Sequence, residues 1–134
     1  MIVGVGVDVV DIARFTAVLQ RRPGLAGKLF TAGEAVLPAH SLAARFAAKE
    51  ALAKALGAPG GLFWQDAEVV RATGGPPQLR LSGSVARRCA ELGVRRTHLS
   101  LAHDGPVALA FVICEAEISA TSVPVTIFRP GHIP

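Results

Sequence analysis

The sequence predicts an α+β fold, in which helices pack against largely antiparallel strands. Residues 2–10 alternate with period two and are rich in valine, which is typical of a strand. Residues 41–57 are mostly alanine and leucine, which are strong helix formers. Two further strand-like runs, 97–102 and 107–114, are joined by a short turn with Gly105 and Pro106. With 134 residues, the chain has room for one domain with a real core.

The first half of the chain is expected to supply one strand and most of the helical structure. In the strand 2–10, the odd-numbered valines share one face and the two glycines share the other with Asp8. Asp11 is well placed as the N-cap of a helix over 12–22, which Pro23 and Gly24 end. Residues 25–40 are expected to form short helical turns, with Thr31 and Glu34 as a capping box. Ser41 is the expected N-cap of the helix 41–57.

The second half is expected to form two strand pairs separated by a helix. Residues 67–72 and 78–82 read as strands around a turn of glycines and prolines, and 84–92 as a helix that ends at Gly93. The runs 97–102 and 107–114 then form a hairpin. We expect one domain over residues 1–116, followed by a C-terminal tail, 117–134, that is extended or partly disordered.

Composition favours a cytoplasmic protein with an acidic partner. No apolar run approaches a membrane span, and the N-terminus lacks the basic segment of a signal peptide. Cys89 and Cys114 match no metal or redox spacing, so we expect free thiols. The net charge is +4, yet tyrosine is absent and the basic residues are scattered, which argues against nucleic acid. An acidic protein surface and a phosphorylated small molecule both fit this charge.

Two carboxylates stand out as candidates for chemistry. Asp8 lies in a strand, where aspartate is depleted, and the glycines on its face leave space for a backbone or a ligand. Glu50 comes from a helix and lies one turn from Lys54, as a metal–phosphate site would require. A strand end facing water and a solvated helical ion pair remain the alternatives.

Basic residues form the other candidate groups. Arg45 and Lys49 lie one turn apart and repel each other, so both would gain from an anion. His103 lies at a hairpin tip, either as a functional side chain or as an ordinary turn residue. Arg14, Arg21 and Arg22 surround Val18 on one helix face, which is either solvated or a docking patch for an acidic helix.

Five motifs in order resemble the holo-[acyl-carrier-protein] synthases, the short bacterial 4′-phosphopantetheinyl transferases. They span roughly residues 2–115 and are highly specific in combination. The matching segments are Gly4–Phe15, Arg45–Gly57, Gln65–Glu68, Gly74–Pro77 and His98–Asp104. The family's usual basic residue in the fourth motif is replaced here by Pro76.

The resemblance implies a reaction and a set of roles. The expected activity is transfer of the 4′-phosphopantetheine group from coenzyme A to a serine of an apo acyl carrier protein, with release of 3′,5′-ADP. Asp8 and Glu50 would bind Mg²⁺ and Lys54 the pyrophosphate, while Arg45 and His103 would contact coenzyme A phosphates. Lys49 and Gly57 would line the same cleft. Residues that would hold the carrier are Arg14, Val18, Arg21 and Arg22.

The resemblance also implies a homotrimer with active sites between subunits. Two other functions remain open on sequence grounds: a non-enzymatic module that binds coenzyme A or a carrier protein, and a basic nucleic-acid binder. The carboxylate pair favours the enzyme, because carboxylates repel nucleic acid and a simple binder needs no metal.

Overall fold

The computed structural model describes residues 1–118, which form an α+β unit as the sequence predicts. The predicted tail, 117–134, lies almost entirely outside the described residues and stays a prediction. No helix within residues 1–118 is long and apolar enough to cross a membrane. The elements are β1 (Ile2–Asp11), α1 (Ile12–Arg21), α2 (Leu25–Leu29), α3 (Ala32–Ala35), α4 (Ala39–Ala55), β2 (Ala67–Arg71), β3 (Pro77–Leu81), α5 (Gly83–Leu92), β4 (Val94–Asp104) and β5 (Val107–Ala116).

The strands form two antiparallel sheets. The larger has the order β1-β5-β4, so the first strand of the chain pairs with the last. Opposite residues on β1 and β5 include Asp8 and Ala110, which places Asp8 in the ladder rather than at a frayed end. The smaller sheet is the hairpin of β2 and β3. The predicted pairing of all four later strands is confirmed.

Helix α4 forms the centre of the core and packs on β1 and β5. Six of its eight alanines are buried, and small side chains permit close packing on a sheet. The helix begins at Ala39 and not at Ser41, with Pro38 preceding it and no side-chain cap. The expectation that Ser41 caps the helix is therefore wrong. Pro38 occupies the position before the helix instead. Its ring fixes φ, and the residue adopts the extended conformation that precedes a helix start.

Gly4 and Gly6 determine how closely α4 approaches β1. A Cβ atom on Gly6 would lie 1.8 Å from the carbonyl oxygen of Ala51, and one on Gly4 would lie 1.8 Å from that of Ala55. No side chain fits into that space. The glycine face of β1 is therefore covered by the helix backbone, which brings Asp8 next to the last two turns of α4.

The opposite face of β1 is apolar and exposed. Val5, Val7 and Val9 are each about half accessible, at 52%, 47% and 57%. Phe111 on the adjacent strand pairs with Val7 and is also exposed. Contiguous apolar surface of this kind is uncommon on a free monomer and is typical of an interaction surface.

Candidate active site

Asp8, Glu50 and Lys54 meet at the edge of one cleft. Lys54 Nζ lies 3.1 Å from Asp8 Oδ1 and also donates to the carbonyl oxygen of Val7, at 3.0 Å. Asp8 and Glu50 both line the cleft, which has a volume of about 700 Å³ and which we call the carboxylate cleft. Its other walls come from α1, α2, Phe46 and Trp64. The structure thus brings together three residues from a strand and a helix that are more than 40 positions apart.

The electrostatics of this cleft favour a cation next to the carboxylates. Burial raises the pKa of Glu50, the negative charge of Asp8 raises it further, and Lys54 only partly opposes both. A carboxylate whose pKa is raised in this way by a neighbouring negative charge gains from any positive charge placed beside it. Lys54 remains 52% exposed at its side chain, so its ammonium is accessible to a ligand.

An aromatic stack forms the floor of the cleft and was missed by the sequence analysis. Phe15 and Phe46 are stacked with ring centroids 4.8 Å apart, and Trp64 follows Phe46 at 5.5 Å. Phe15 is buried, whereas Phe46 and Trp64 are partly accessible. The residues are 31 and 18 positions apart in sequence, so no local pattern places them together.

Helix α1 borders the cleft with its basic face. Asp11 caps this helix as predicted, since its carboxylate accepts from the Arg14 backbone N–H at 2.8 Å. Arg14, Val18 and Arg22 line the carboxylate cleft. Arg21 is exposed but does not line it, so the structure separates Arg21 from the other members of the predicted docking patch.

Lys49 does not have the predicted place in the site. Its Nζ lies 2.8 Å from Glu34 Oε1 and donates as well to the carbonyl oxygens of Trp64, at 3.0 Å, and Ala67, at 2.7 Å. Three protons thus have three acceptors, and the side chain is 1% exposed. Lys49 is therefore a structural residue with no donor left for a phosphate, which corrects the expectation that it lines the nucleotide cleft.

Arg45 and His103 lie together, but not in the carboxylate cleft. They line a second cavity of about 250 Å³ at the N-terminal end of α4, which we call the histidine pocket. This pocket and the carboxylate cleft share no lining residue. Gly57 follows the C-terminal end of α4, beside Arg88, and lines neither of them.

Comparison with known proteins now defines the class. A family model described as the 4′-phosphopantetheinyl transferase superfamily matches residues 4–112. A protein from Streptomyces griseus named holo-[acyl-carrier-protein] synthase is 61% identical over 121 residues, covering 86% of this chain and 99% of its own. The chain belongs to this superfamily and, within it, to the holo-[acyl-carrier-protein] synthase family.

Solved structures agree with that assignment. The holo-[acyl-carrier-protein] synthase of Neisseria meningitidis matches with a TM-score of 0.77 at 31% identity, over 86% of this chain and 99% of the other. The synthase of Helicobacter pylori, solved in complex with coenzyme A, matches with a TM-score of 0.72 at 27% identity, over 83% of this chain and 99% of the other. The family resemblance inferred from the five motifs is confirmed.

Proposed function

We propose that this protein transfers the 4′-phosphopantetheine group of coenzyme A to a serine of an apo acyl carrier protein, releasing 3′,5′-ADP. The observation that carries the proposal is the meeting of Asp8, Glu50 and Lys54 at the edge of a cleft bordered by the basic helix α1. The group of Asp8, Glu50 and Lys54 suits a diphosphate, and the basic face of α1 suits an acidic protein helix. The membership of the synthase family supports the same reaction.

Asp8 and Glu50 would hold Mg²⁺. The donor set fits this ion, because Mg²⁺ prefers carboxylate oxygens and is usually bound by one or two carboxylates plus substrate phosphates. Within residues 1–118 no cluster of three or more histidine, cysteine or acidic side chains could hold a metal, so substrate oxygens and water would complete the shell. When bound, the ion supplies positive charge to the diphosphate of coenzyme A.

Lys54 would stabilise the leaving group. Negative charge builds on the departing 3′,5′-ADP oxygen as the phosphorus–oxygen bond of the diphosphate breaks, and an ammonium next to that oxygen lowers the barrier. Asp8 and the Val7 carbonyl oxygen hold the Lys54 ammonium in place, at 3.1 and 3.0 Å. The lysine is therefore oriented before the substrate arrives.

Glu50 would accept the proton of the carrier's serine. The serine oxygen attacks the phosphorus nearest the pantetheine, a serine–phosphate bond forms, and the hydroxyl proton passes to the carboxylate. Partial burial raises the pKa of Glu50, which strengthens it as a base. Direct attack needs no covalent enzyme intermediate.

The carrier would dock on α1. Arg14 and Arg22 flank Val18 on the wall of the carboxylate cleft, so a carrier helix held there would present its serine to the reacting group. Cationic side chains around an apolar contact suit an acidic amphipathic helix. Arg21 lies outside the cleft and would contribute long-range attraction only.

A homotrimer with active sites between subunits would join the two pockets. One coenzyme A must reach Lys54 with its diphosphate and Arg45 and His103 with its other phosphate. In one chain, however, Asp8, the ion-pair partner of Lys54, lines a different cavity from Arg45 and His103. The exposed valines of β1 supply an apolar surface for such an assembly. We place the assembled enzyme in the cytoplasm, in keeping with its two free, buried cysteines.

The direct experiment incubates the protein with coenzyme A, Mg²⁺ and the apo carrier protein of its own source organism, and weighs the carrier by mass spectrometry. We expect the carrier to gain one phosphopantetheine group and 3′,5′-ADP to form in equal amount. Binding of coenzyme A without any gain in carrier mass would instead identify a non-catalytic binding module. Light scattering on the same sample tests the trimer.

A further inference from the structure

Arg88 connects α5 to the end of the helix that carries Lys54. Its Nε donates to the carbonyl oxygen of Leu56, the C-cap residue of α4, at 3.1 Å. Its Nη1 lies 3.2 Å from Glu91 on its own helix. Arg88 lines neither the carboxylate cleft nor the histidine pocket. Any effect of this arginine on the proposed reaction therefore passes through α4, and not through contact with a substrate in those cavities.

Helix α4 ends in a Schellman motif, and Lys54 is part of it. The N–H of Gly57 donates to the carbonyl oxygen of Lys54 at 3.1 Å, and the N–H of Ala58 donates to that of Ala53 at 2.7 Å. Gly57 has a φ of 84°, the left-handed conformation that this motif uses after the cap. The two bonds satisfy the carbonyls of Ala53 and Lys54 and leave that of Leu56 to a donor from outside the helix.

The turn that follows α4 contains a strained residue. Ala58 has a φ of 49° and is the one non-glycine residue with a positive φ within residues 1–118. A Cβ atom is too close to the following carbonyl oxygen in this conformation, so other contacts must offset its cost. The bond from the Ala58 N–H and the bond from Arg88 to Leu56 both close this turn. Without Arg88, only the first of these two contacts would oppose the strain.

Gly57 leaves space for the guanidinium group above the turn. A Cβ atom on Gly57 would lie 3.3 Å from Arg88 Nη2, which is closer than ordinary van der Waals contact. The Arg88 side chain is 28% exposed, so most of its surface is packed against the protein. The arginine is therefore seated on the end of α4 and does not extend into solvent.

The position of this turn affects where the ammonium of Lys54 lies. Lys54 is two residues before Leu56, and its own carbonyl oxygen belongs to the Schellman motif. Its Nζ lies 3.1 Å from Asp8 Oδ1 and 3.0 Å from the carbonyl oxygen of Val7, across the contact between α4 and β1. Because hydrogen bonds weaken over a few tenths of an ångström, a shift of the last turn would displace the ammonium from both acceptors.

We propose that Arg88 is a positioning residue for the transfer reaction: by binding the Leu56 carbonyl oxygen, it holds the last turn of α4 and thereby keeps Lys54 beside the diphosphate. The inference rests on the proposed function for the role of Lys54. That lysine would act on negative charge that develops in the transition state, so its displacement lowers kcat. The KM for the carrier, which would dock on α1, stays unchanged.

The test is a double-mutant cycle of Arg88→Met and Lys54→Met, with transfer measured at a temperature where denaturation curves show that every variant is folded. We expect Arg88→Met to lower kcat about tenfold, the scale of a partial misplacement, with an unchanged KM for the carrier. In the Lys54→Met background the same substitution should have no further effect, because the group that Arg88 positions is absent. Single turnovers with enzyme in excess make the slow variants measurable.

Two further variants separate positioning from other effects of the arginine. Arg88→Lys keeps a charged donor that can reach the Leu56 carbonyl oxygen, so it should recover much of the lost rate. Arg87→Met makes the same change at the neighbouring, exposed arginine of α5 and should keep the wild-type kcat. An equal loss in Arg87→Met and Arg88→Met would assign the effect to the charge of α5 and contradict the inference.

Wild-type kcat in folded Arg88→Met would overturn the inference, and so would an equal fold-loss in the two backgrounds of the cycle. A lower denaturation midpoint with unchanged kcat would show that Arg88 only stabilises the fold, which also contradicts the inference. If the wild type itself leaves the carrier unmodified, the proposed function fails and the inference fails with it. The same assay therefore distinguishes the two failures.

Discussion

Two lysines on α4, five positions apart, form ion pairs of the same chemistry in opposite surroundings. Lys49 binds Glu34 at 2.8 Å, with side chains 1% and 2% exposed. Lys54 binds Asp8 at 3.1 Å, with side chains 52% and 19% exposed. The first pair joins α4 to α3 in the core, and the second joins α4 to β1 beside the carboxylate cleft.

The difference shows that one side of α4 stabilises the fold, while the other side carries residues of the proposed active site. The buried Lys49 ammonium donates to three acceptors and has no unpaired proton. Burial lowers the pKa of Lys49, and the hydrogen bond and charge of Glu34 act in the opposite direction. Such a pair is rigid and has no capacity for a ligand. The exposed pair is weak in energy, and for that reason a diphosphate can compete for the lysine.

Breaking the buried pair should have the largest effect on stability. Lys49→Met keeps the volume of the side chain but leaves the Glu34 carboxylate buried without its partner, which typically costs about 3–5 kcal/mol in the free energy of unfolding. Chemical denaturation should show a matching fall in the midpoint. Lys54→Met is the matched control and should change stability by about 1 kcal/mol or less.

The same two variants should behave in the opposite way in catalysis. At a temperature where both are folded, Lys54→Met should lose most of the transfer rate, while folded Lys49→Met should keep it. Equal stability of the two variants, or loss of transfer only in Lys49→Met, would contradict the separation of structural and catalytic sides.

Changing the contact between β1 and α4 should lower both the stability of the protein and its transfer rate. In Gly6→Ala the new methyl group would meet the Ala51 carbonyl oxygen, so α4 must move away from the strand that carries Asp8. We expect a lower denaturation midpoint and a slower transfer rate. Gly27→Ala is the control, because nothing lies within 4 Å of the added atom; wild-type transfer by Gly6→Ala would show that the close approach is unnecessary.

A smaller effect is expected from the docking face of α1. Arg14→Gln removes a charge from the wall of the carboxylate cleft and should raise KM for the carrier several-fold, with the KM for coenzyme A unchanged. Arg21→Gln removes the same charge outside the cleft and should change the KM for the carrier less. Equal effects of the two substitutions would favour a diffuse attraction over a defined docking surface.

Local patterns in the sequence were sufficient for most of the fold. Alternation identified β1, capping residues identified the starts of α1 and α3, and the glycine–proline turns separated the later strands. Asp8 and Glu50 were found because an aspartate between strand valines and a glutamate in an alanine-rich helix are locally out of place. The start of α4 was missed, since Pro38 replaces the side-chain cap that a helix start usually shows.

Tertiary contacts account for the errors in the site. Glu34 was recognised as the capping-box partner of Thr31, and it is, but no pattern in the sequence shows that the same carboxylate also receives Lys49. His40 and Arg71 come from separate elements that meet His103 only after folding. Their shared property, a basic side chain near a helix start or a strand end, is too common in sequences to mark a site.

The most direct measurement of the central claim is the transfer rate of Glu50→Gln, at saturating coenzyme A, carrier and Mg²⁺, beside that of the wild type. The substitution keeps the shape of the side chain and removes only its charge and basicity. The account predicts that the wild type modifies the carrier completely, while Glu50→Gln, with an unchanged denaturation midpoint, leaves its mass almost unaltered. Modification at the wild-type rate by this variant would contradict the assignment of the carboxylate cleft as the active site.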